Sequence, residues 1–168
     1  MPKGKSTNMI PVAEGEQVAR AIFSPSFLDI DGQIGPQAFY MEIMKSGDAE
    51  ANISLFRLGQ CDDIAAAIKR LHPRKEGDSI CGHGELNVGE IRQIQIPLED
   101  SKIDVLTSER NPVHAGIVIK IDGKMITACD FYSPEGKPLE AIDPNLMYIM
   151  YQLAEMSSFI PLPEETEE

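Results

Sequence analysis

Apolar side chains recur at helical spacing in two stretches of the chain. In residues 62–71 they stand at positions i, i+4 and i+7, and acidic residues open the stretch while basic residues close it, as the helix dipole favours. In residues 144–159, Asp143 is a typical N-cap and Pro144 suits the first helical position. An apolar stripe follows it, made of Leu146, Ile149, Met150, Leu153, Met156 and Phe159. The pattern predicts a central helix and an amphipathic C-terminal helix that packs on a sheet.

Other stretches have the composition and alternation of strands. Residues 52–58 alternate between two faces, which is typical of a strand. Residues 115–121 and 124–130 are rich in β-branched and apolar residues and flank Asp122-Gly123, a dipeptide that favours a tight hairpin turn. Residues 38–44 are also rich in aromatic and β-favouring residues. We therefore predict a hairpin around Asp122-Gly123 and a separate strand at 52–58.

These elements together predict one α+β domain with a largely antiparallel sheet and a C-terminal amphipathic helix. A short helix over 88–94 adds to them, since Asn87 suits its N-cap. Residues 1–15 contain prolines and glycines without periodicity, so we predict a flexible N-terminal arm. Residues 162–168 are acidic and proline-containing, which predicts an acidic tail. The domain itself then covers residues 16–161.

Net charge is the clearest compositional signal and bears on the partner. The 168 residues are 42% apolar and 25% charged, which is ordinary for a globular chain. Lys and Arg number 15 against 27 Asp and Glu, giving a net charge of −12. A field of that sign repels phosphate backbones and anionic lipids, so the sequence predicts neither nucleic-acid nor membrane binding. It is compatible with solubility alone or with a protein partner that has a basic surface.

Cysteine usage indicates a reducing compartment. The chain has three widely spaced cysteines, Cys61, Cys81 and Cys129. An odd number at such spacing argues against a disulfide scaffold. The first residues lack an apolar segment of signal-peptide length, and no apolar run approaches the length of a membrane span. We expect a cytoplasmic protein, and the sequence indicates no cofactor.

Motifs for phosphate and metal binding are incomplete. The chain has neither GxxxxGK[ST] nor GxGxxG after a strand. The segment Cys81-Gly82-His83-Gly84-Glu85 places three kinds of metal ligand within five residues, but the paired thiolates of a zinc deaminase are missing. We therefore predict no metal site and interpret this segment as a tight loop before the next element.

A nucleophilic site is a second option. Antiparallel pairing around Asp122-Gly123 would place His114 near Cys129 and Asp130 at the open end of the hairpin. The alternative is that Cys129 is a small buried residue and His114 a hydrogen-bonded histidine beside a strand. Both interpretations stay open on the sequence, and the catalytic candidates are His114, Cys129 and Arg57.

Arg57 lies within an apolar strand and needs a partner if it is buried. It either points to solvent, pairs with an acidic side chain, or marks an anion site with His83 or His114 as a companion. Asp62 and Asp63 stand at a predicted helix start, where capping explains them better than a catalytic carboxylate pair.

Four segments carry a resemblance to known proteins. The order FSPSFLDIDGQIGPQAF, ISLFRLG, CGHGELNVGEIRQI and NPVHAGI is similar to a group of small uncharacterised bacterial proteins with LSxFR and P-x-HA-x-I motifs. The similar region covers residues 20–118, after which this chain departs from the pattern. The resemblance implies a bacterial origin linked to phages or mobile elements, and it places Arg57, Gly84 and His114 on the shared motifs. The group supplies no activity.

Two hypotheses about function follow. The first is a non-enzymatic acidic protein-binding module, an accessory or immunity-type partner of a larger bacterial or phage-linked system. It is favoured by the acidic charge, the acidic C-terminus and the lack of a complete catalytic signature. The alternative is a small enzyme, or a domain that binds an anion or nucleotide, using Arg57, His83 and His114. A pocket that joins these side chains would distinguish the second hypothesis from the first.

Overall fold

A mostly antiparallel sheet with few helices makes up the fold, which confirms the predicted α+β class. The computed structural model describes residues 9–44, 46–73, 75–96 and 100–163. The strands in these ranges are β1 (Met9–Pro11), β2 (Gln17–Ser24), β3 (Ile53–Arg57), β4 (Ser79–Asn87), β5 (Ser101–Ser108), β6 (Asn111–Ile121), β7 (Lys124–Met125) and β8 (Ser158–Pro161). The helices are α1 (Ile64–Lys69), α2 (Val88–Arg92) and α3 (Pro144–Met156).

The strands follow the order β1-β5-β6-β3-β2-β4-β8 across the sheet, and β7 pairs with β6. All of these pairs are antiparallel. The pairs β5–β6 and β2–β4 are long, whereas β2 and β3 pair at only two positions. The sheet is therefore two well-paired halves joined by a short ladder in the middle.

The C-terminal helix closes the main core, as its apolar stripe predicted. Leu146, Ile149, Met150 and Leu153 are all buried, and α3 packs against a 3-10 helix at Pro36–Phe39. The Tyr40 ring stacks on Phe131 at 4.7 Å between centroids and its hydroxyl contacts the Met147 Sδ at 3.4 Å. A smaller core holds Ala19, Ala21 and Phe56 against Ile68 of α1.

Three side-chain caps start the three helices where the sequence placed them. Asp63 accepts a hydrogen bond from the Ala66 amide, Asn87 from the Glu90 amide and Asp143 from the Asn145 amide. The capping role of Asp63 also explains the acidic pair at the start of α1 without a catalytic function. Each cap satisfies a backbone amide that has no partner within its own helix.

The end of α3 differs from the prediction, because the helix stops at Met156 and residues 158–161 form β8. The backbone of β8 pairs with β4, and this pairing brings the two strands very close together at Gly82. A Cβ atom at Gly82 would lie 2.3 Å from the Ile160 carbonyl oxygen. The absence of a side chain thus allows the strand pairing that ends the helix.

Two other local predictions are wrong. The segment 81–85, predicted as a tight loop, lies within β4. The second arm of the hairpin, predicted over 124–130, ends at Met125. The chain then forms a 3-10 helix at Ala128–Asp130, which begins with a capping box. In this box the Cys129 amide donates to the Thr127 Oγ1, and the Thr127 amide donates to the Asp130 carboxylate. Local hydrogen bonds win over the β-propensity of these residues.

The structure describes part of the predicted N-terminal arm and part of the predicted acidic tail. Residues 9–11 of the predicted arm form β1 and pair with β5, and Val12 is buried in the main core. Residues 1–8, and residues 164–168 of the predicted acidic tail, lie outside the described residues. Within the described ranges, no helix has the length and apolar character needed to cross a bilayer.

The hairpin turn gives a direct test of the sequence interpretation. Asp122 and Gly123 adopt φ values of 52° and 81°, the left-handed pair of a tight two-residue turn. We expect Gly123→Ala to lower the free energy of unfolding by about 1–2 kcal/mol, since an L-residue is disfavoured there. The measurement is urea unfolding. Gly15→Ala is the matched control, because its Cβ would meet open space at an ordinary φ. An equal effect of both changes would contradict the turn assignment.

Candidate functional site

A cavity lies where β2 and β3 separate. The two strands pair only at Val18–Arg57 and Ala19–Phe56, although β2 continues to Ser24 and β3 begins at Ile53. Backbone groups facing the gap need other partners, because unpaired buried amides and carbonyls are costly. The split therefore creates both a space and a demand for hydrogen bonds within the sheet.

Arg20 meets part of that demand from β2. Its Nε donates to the Ala38 carbonyl at 2.7 Å, and its Nη1 donates to the Ser54 carbonyl on β3 at 3.0 Å. The guanidinium carbon also lies 5.5 Å from the centroid of the Phe27 ring. One side chain thus links β2, β3 and the segment before residue 40, and it forms a wall of the cavity.

The cavity has a volume of about 260 Å³ and combines aromatic walls with charged groups. Phe23 and Phe27 meet edge to face, with centroids 5.5 Å apart. Phe56 packs against the His114 imidazole with 4.6 Å between the ring centroids. The described residues that line it are Arg20, Ala21, Phe23, Phe27, Glu42, Glu50, Ser54, Leu55, Phe56, Leu71, His72, Lys75, Asp78 and His114.

The carboxylates of the cavity already have partners in the fold. Glu42 accepts a hydrogen bond from the Tyr132 hydroxyl at 3.2 Å, and Glu50 accepts one from the Glu42 amide at 2.8 Å. Burial, and then the negative charge of Glu42, raise the pKa of Tyr132, so its hydroxyl stays protonated and donates. Asp78 accepts hydrogen bonds from the amide and the hydroxyl of Ser26.

Three nitrogen-bearing side chains of the cavity differ from the carboxylates in this respect. Within the described ranges, the side-chain nitrogens of His72, Lys75 and His114 have no hydrogen bond or ion pair. His72 and Lys75 are exposed on the segment that follows α1, and His114 is half-buried on β6. The groups available to a ligand thus include the hydrogen-bond donors of His72, Lys75 and His114.

Arg57, the leading candidate from the sequence, lies outside this cavity and forms an ion pair. Its Nε and Nη2 donate to the two carboxylate oxygens of Glu16 at 3.0 and 2.8 Å, and its Nη1 donates to the Pro112 carbonyl at 3.0 Å. Phe56 and the stacked His114 line the cavity, whereas their neighbour Arg57 is not among its lining residues. The structure brings His114 to the cavity and leaves Arg57 away from it.

The other candidates from the sequence are also apart from the cavity lining. His83 is buried on β4, and its Nε2 lies 2.9 Å from a carboxylate oxygen of Glu85. Cys129 is exposed on the 3-10 helix, and the β6–β7 ladder that would have aligned it with His114 ends at Lys120 and Met125. Among the described residues, no three His, Cys, Asp or Glu side chains form a group that could hold a metal ion.

Sequence reasoning missed several cavity residues, and one of them carried a usable signal. Arg20 stands in the apolar run 18–23 in the same way that Arg57 stands in 52–58, so the same rule on buried charge applied to both. The remaining polar residues come from the two connecting segments before β3 and before β4, and they match no motif. They are Glu42, Glu50, His72, Lys75 and Asp78.

Comparisons with protein-family models, curated proteins and solved structures find no significant match for this chain. The family resemblance therefore remains a sequence interpretation, and the cavity has to be interpreted from its own geometry.

The Arg57–Glu16 pair predicts a pH-dependent contribution to stability. Hydrogen bonding to Arg57 holds the pKa of Glu16 below its usual range. The pair therefore stabilises the fold above the ordinary glutamate pKa of about 4.3, and this is lost as pH falls through the lowered value. We expect Glu16→Gln to lower the free energy of unfolding by about 1 kcal/mol at pH 7 and by less at pH 3.

Urea unfolding at the two pH values measures this difference. Glu14→Gln is the control, because it removes the same charge two residues away. A loss that is equal at pH 7 and pH 3 would show that Glu16 acts through packing alone.

Proposed function

We propose that this chain binds a small molecule with an aromatic ring and a carboxylate or phosphate group in the cavity between β2 and β3. The observation that carries the proposal is the division of its polar groups. The carboxylates have partners within the fold, whereas His72, Lys75 and His114 have none among the described residues. An anion therefore finds donors at the cavity without displacing an existing ion pair.

The walls support a flat apolar body for this ligand. Phe23, Phe27 and Phe56 present aromatic surface, and Leu55 and Leu71 add aliphatic surface. Ligand sites of this kind are mostly apolar with a few convergent polar groups. The volume of about 260 Å³ is close to the lower end of the usual range of about 300–1,000 Å³, which suits a single ring.

Charges far from the cavity contribute little to the opposition of the net charge of −12, whereas inside the cavity the carboxylates of Glu42, Glu50 and Asp78 work against an anion and the donors must outweigh them. Exposed charges are screened over about 8–10 Å at physiological ionic strength, so contacts within the cavity govern affinity. Long-range repulsion then affects the rate of association more than the bound state.

This proposal develops the anion-binding alternative with a different set of residues. His114 is kept, while Arg57 and His83 give way to His72 and Lys75. The acidic protein-binding module, its basic partner and the cytoplasmic location stay predictions that rest on the sequence.

Paired probes of opposite charge test the proposal. We expect benzoate, and not benzylamine, to shift the NMR methyl signals of Leu55 and Leu71. Lys75→Met should weaken benzoate binding by about three- to tenfold, the effect of one hydrogen bond. Lys120→Met is the matched control, since Lys120 is exposed on β6 outside the cavity lining.

Two results would overturn the proposal. One is a shift of these methyl signals by benzylamine alone. The other is an equal effect of the Lys75 and Lys120 substitutions on benzoate binding.

A further inference from the structure

A second concave surface begins where the cavity ends at His114. This surface, the β5–β6 shelf, has a volume of about 420 Å³, and the described residues that line it include no Asp, Glu, Lys or Arg. Its lining is Met9, Asn52, Ser54, Leu106, Thr107, Ser108, Asn111, His114, Ala115, Gly116 and Val118. The shelf is therefore lined by a mixture of amide, hydroxyl and aliphatic groups.

The shelf and the cavity are neighbours, because Ser54 and His114 line both. The strand order places them in a row: Lys75 precedes β4, Phe23 and Phe56 lie on β2 and β3, and His114 lies on β6 beside β5. A ligand whose acid meets Lys75 and whose ring lies among the phenylalanines would point its far end toward the shelf.

Asn52 contributes a side-chain amide to the shelf. Its side chain lies across Gly116, where an added Cβ would be 2.5 Å from the amide oxygen. In the described part of the chain, the side-chain amides of Asn52 and Asn111 and the Ser54 hydroxyl have no hydrogen-bond partner. The Thr107 hydroxyl, in contrast, donates to the His114 carbonyl at 2.6 Å. Gly116 thus makes room for the Asn52 amide, whose donors and acceptor have no hydrogen-bond partner among the described residues.

We propose that the ligand extends over His114 and carries a sugar on the β5–β6 shelf, so that the ligand class is an acidic aryl glycoside. This inference rests on the proposed function of the cavity. A sugar has a rim of hydroxyls that suits amide and hydroxyl partners, and C–H faces that suit Leu106 and Val118. A charged group would find no opposite charge among the residues that line the shelf.

Two probes that differ only by the sugar test the inference. They are benzoate and 4-(β-D-glucopyranosyloxy)benzoate, titrated into the full chain. We expect the glucoside to bind at least threefold more tightly than benzoate. Asn52→Ala should weaken the glucoside by about three- to tenfold and leave benzoate unchanged. Gln93→Ala, which removes an exposed amide after α2, is the control.

The unaltered protein provides a second measurement that does not depend on the folding of a variant. Nuclear Overhauser effects should join the sugar protons of the bound glucoside to the methyl groups of Leu106 and Val118.

The outcomes separate this inference from the proposed function. If benzoate binds at the cavity but the glucoside gains nothing, or Asn52→Ala weakens both probes equally, the sugar site is wrong and the cavity assignment stands. If neither probe binds, both are wrong.

Discussion

The separation of β2 from β3, held by Arg20, is the constraint on which the rest of this structure depends. A sheet that opens in its middle leaves carbonyls without strand partners, and the guanidinium fills that role for Ser54 while it also binds the Ala38 carbonyl of the 3-10 helix. Arginine suits this position because its planar group offers several donors in fixed directions. The same side chain that holds the two halves of the sheet together also forms a wall of the cavity.

The architecture around the split explains why a cavity persists there. The α3 helix and the 3-10 helix at Pro36–Phe39 close the main core, while α1 covers the smaller core beside Phe56. Neither core fills the gap between β2 and β3. The Glu42, Glu50 and Tyr132 hydrogen bonds fix its polar side, so the open space is bordered by groups that are already positioned.

Two arginines in apolar strands show how similar sequence signals lead to different roles. Arg57 reaches a carboxylate of Glu16 and becomes part of the framework. Arg20 reaches backbone carbonyls at the split and borders the cavity. The rule that a charge in an apolar strand needs a partner holds for both residues. The partner differs between them: Arg57 pairs with the side chain of residue 16, and Arg20 with the carbonyls of residues 38 and 54. This difference decides which of the two arginines lies at the candidate site.

The hairpin turn at Asp122-Gly123 and the three helix caps could be predicted from the sequence, because hydrogen bonds and backbone preferences within a few residues control them, and the predicted elements together indicated the α+β class. The end of α3 depends on a distant segment, since the residues that follow it, 158–161, pair with a glycine-containing strand more than 70 positions earlier. The cavity was beyond sequence reasoning for the same reason. Its polar residues are drawn from β2, β3, β6 and two connecting segments, and long-range strand pairing brings them together.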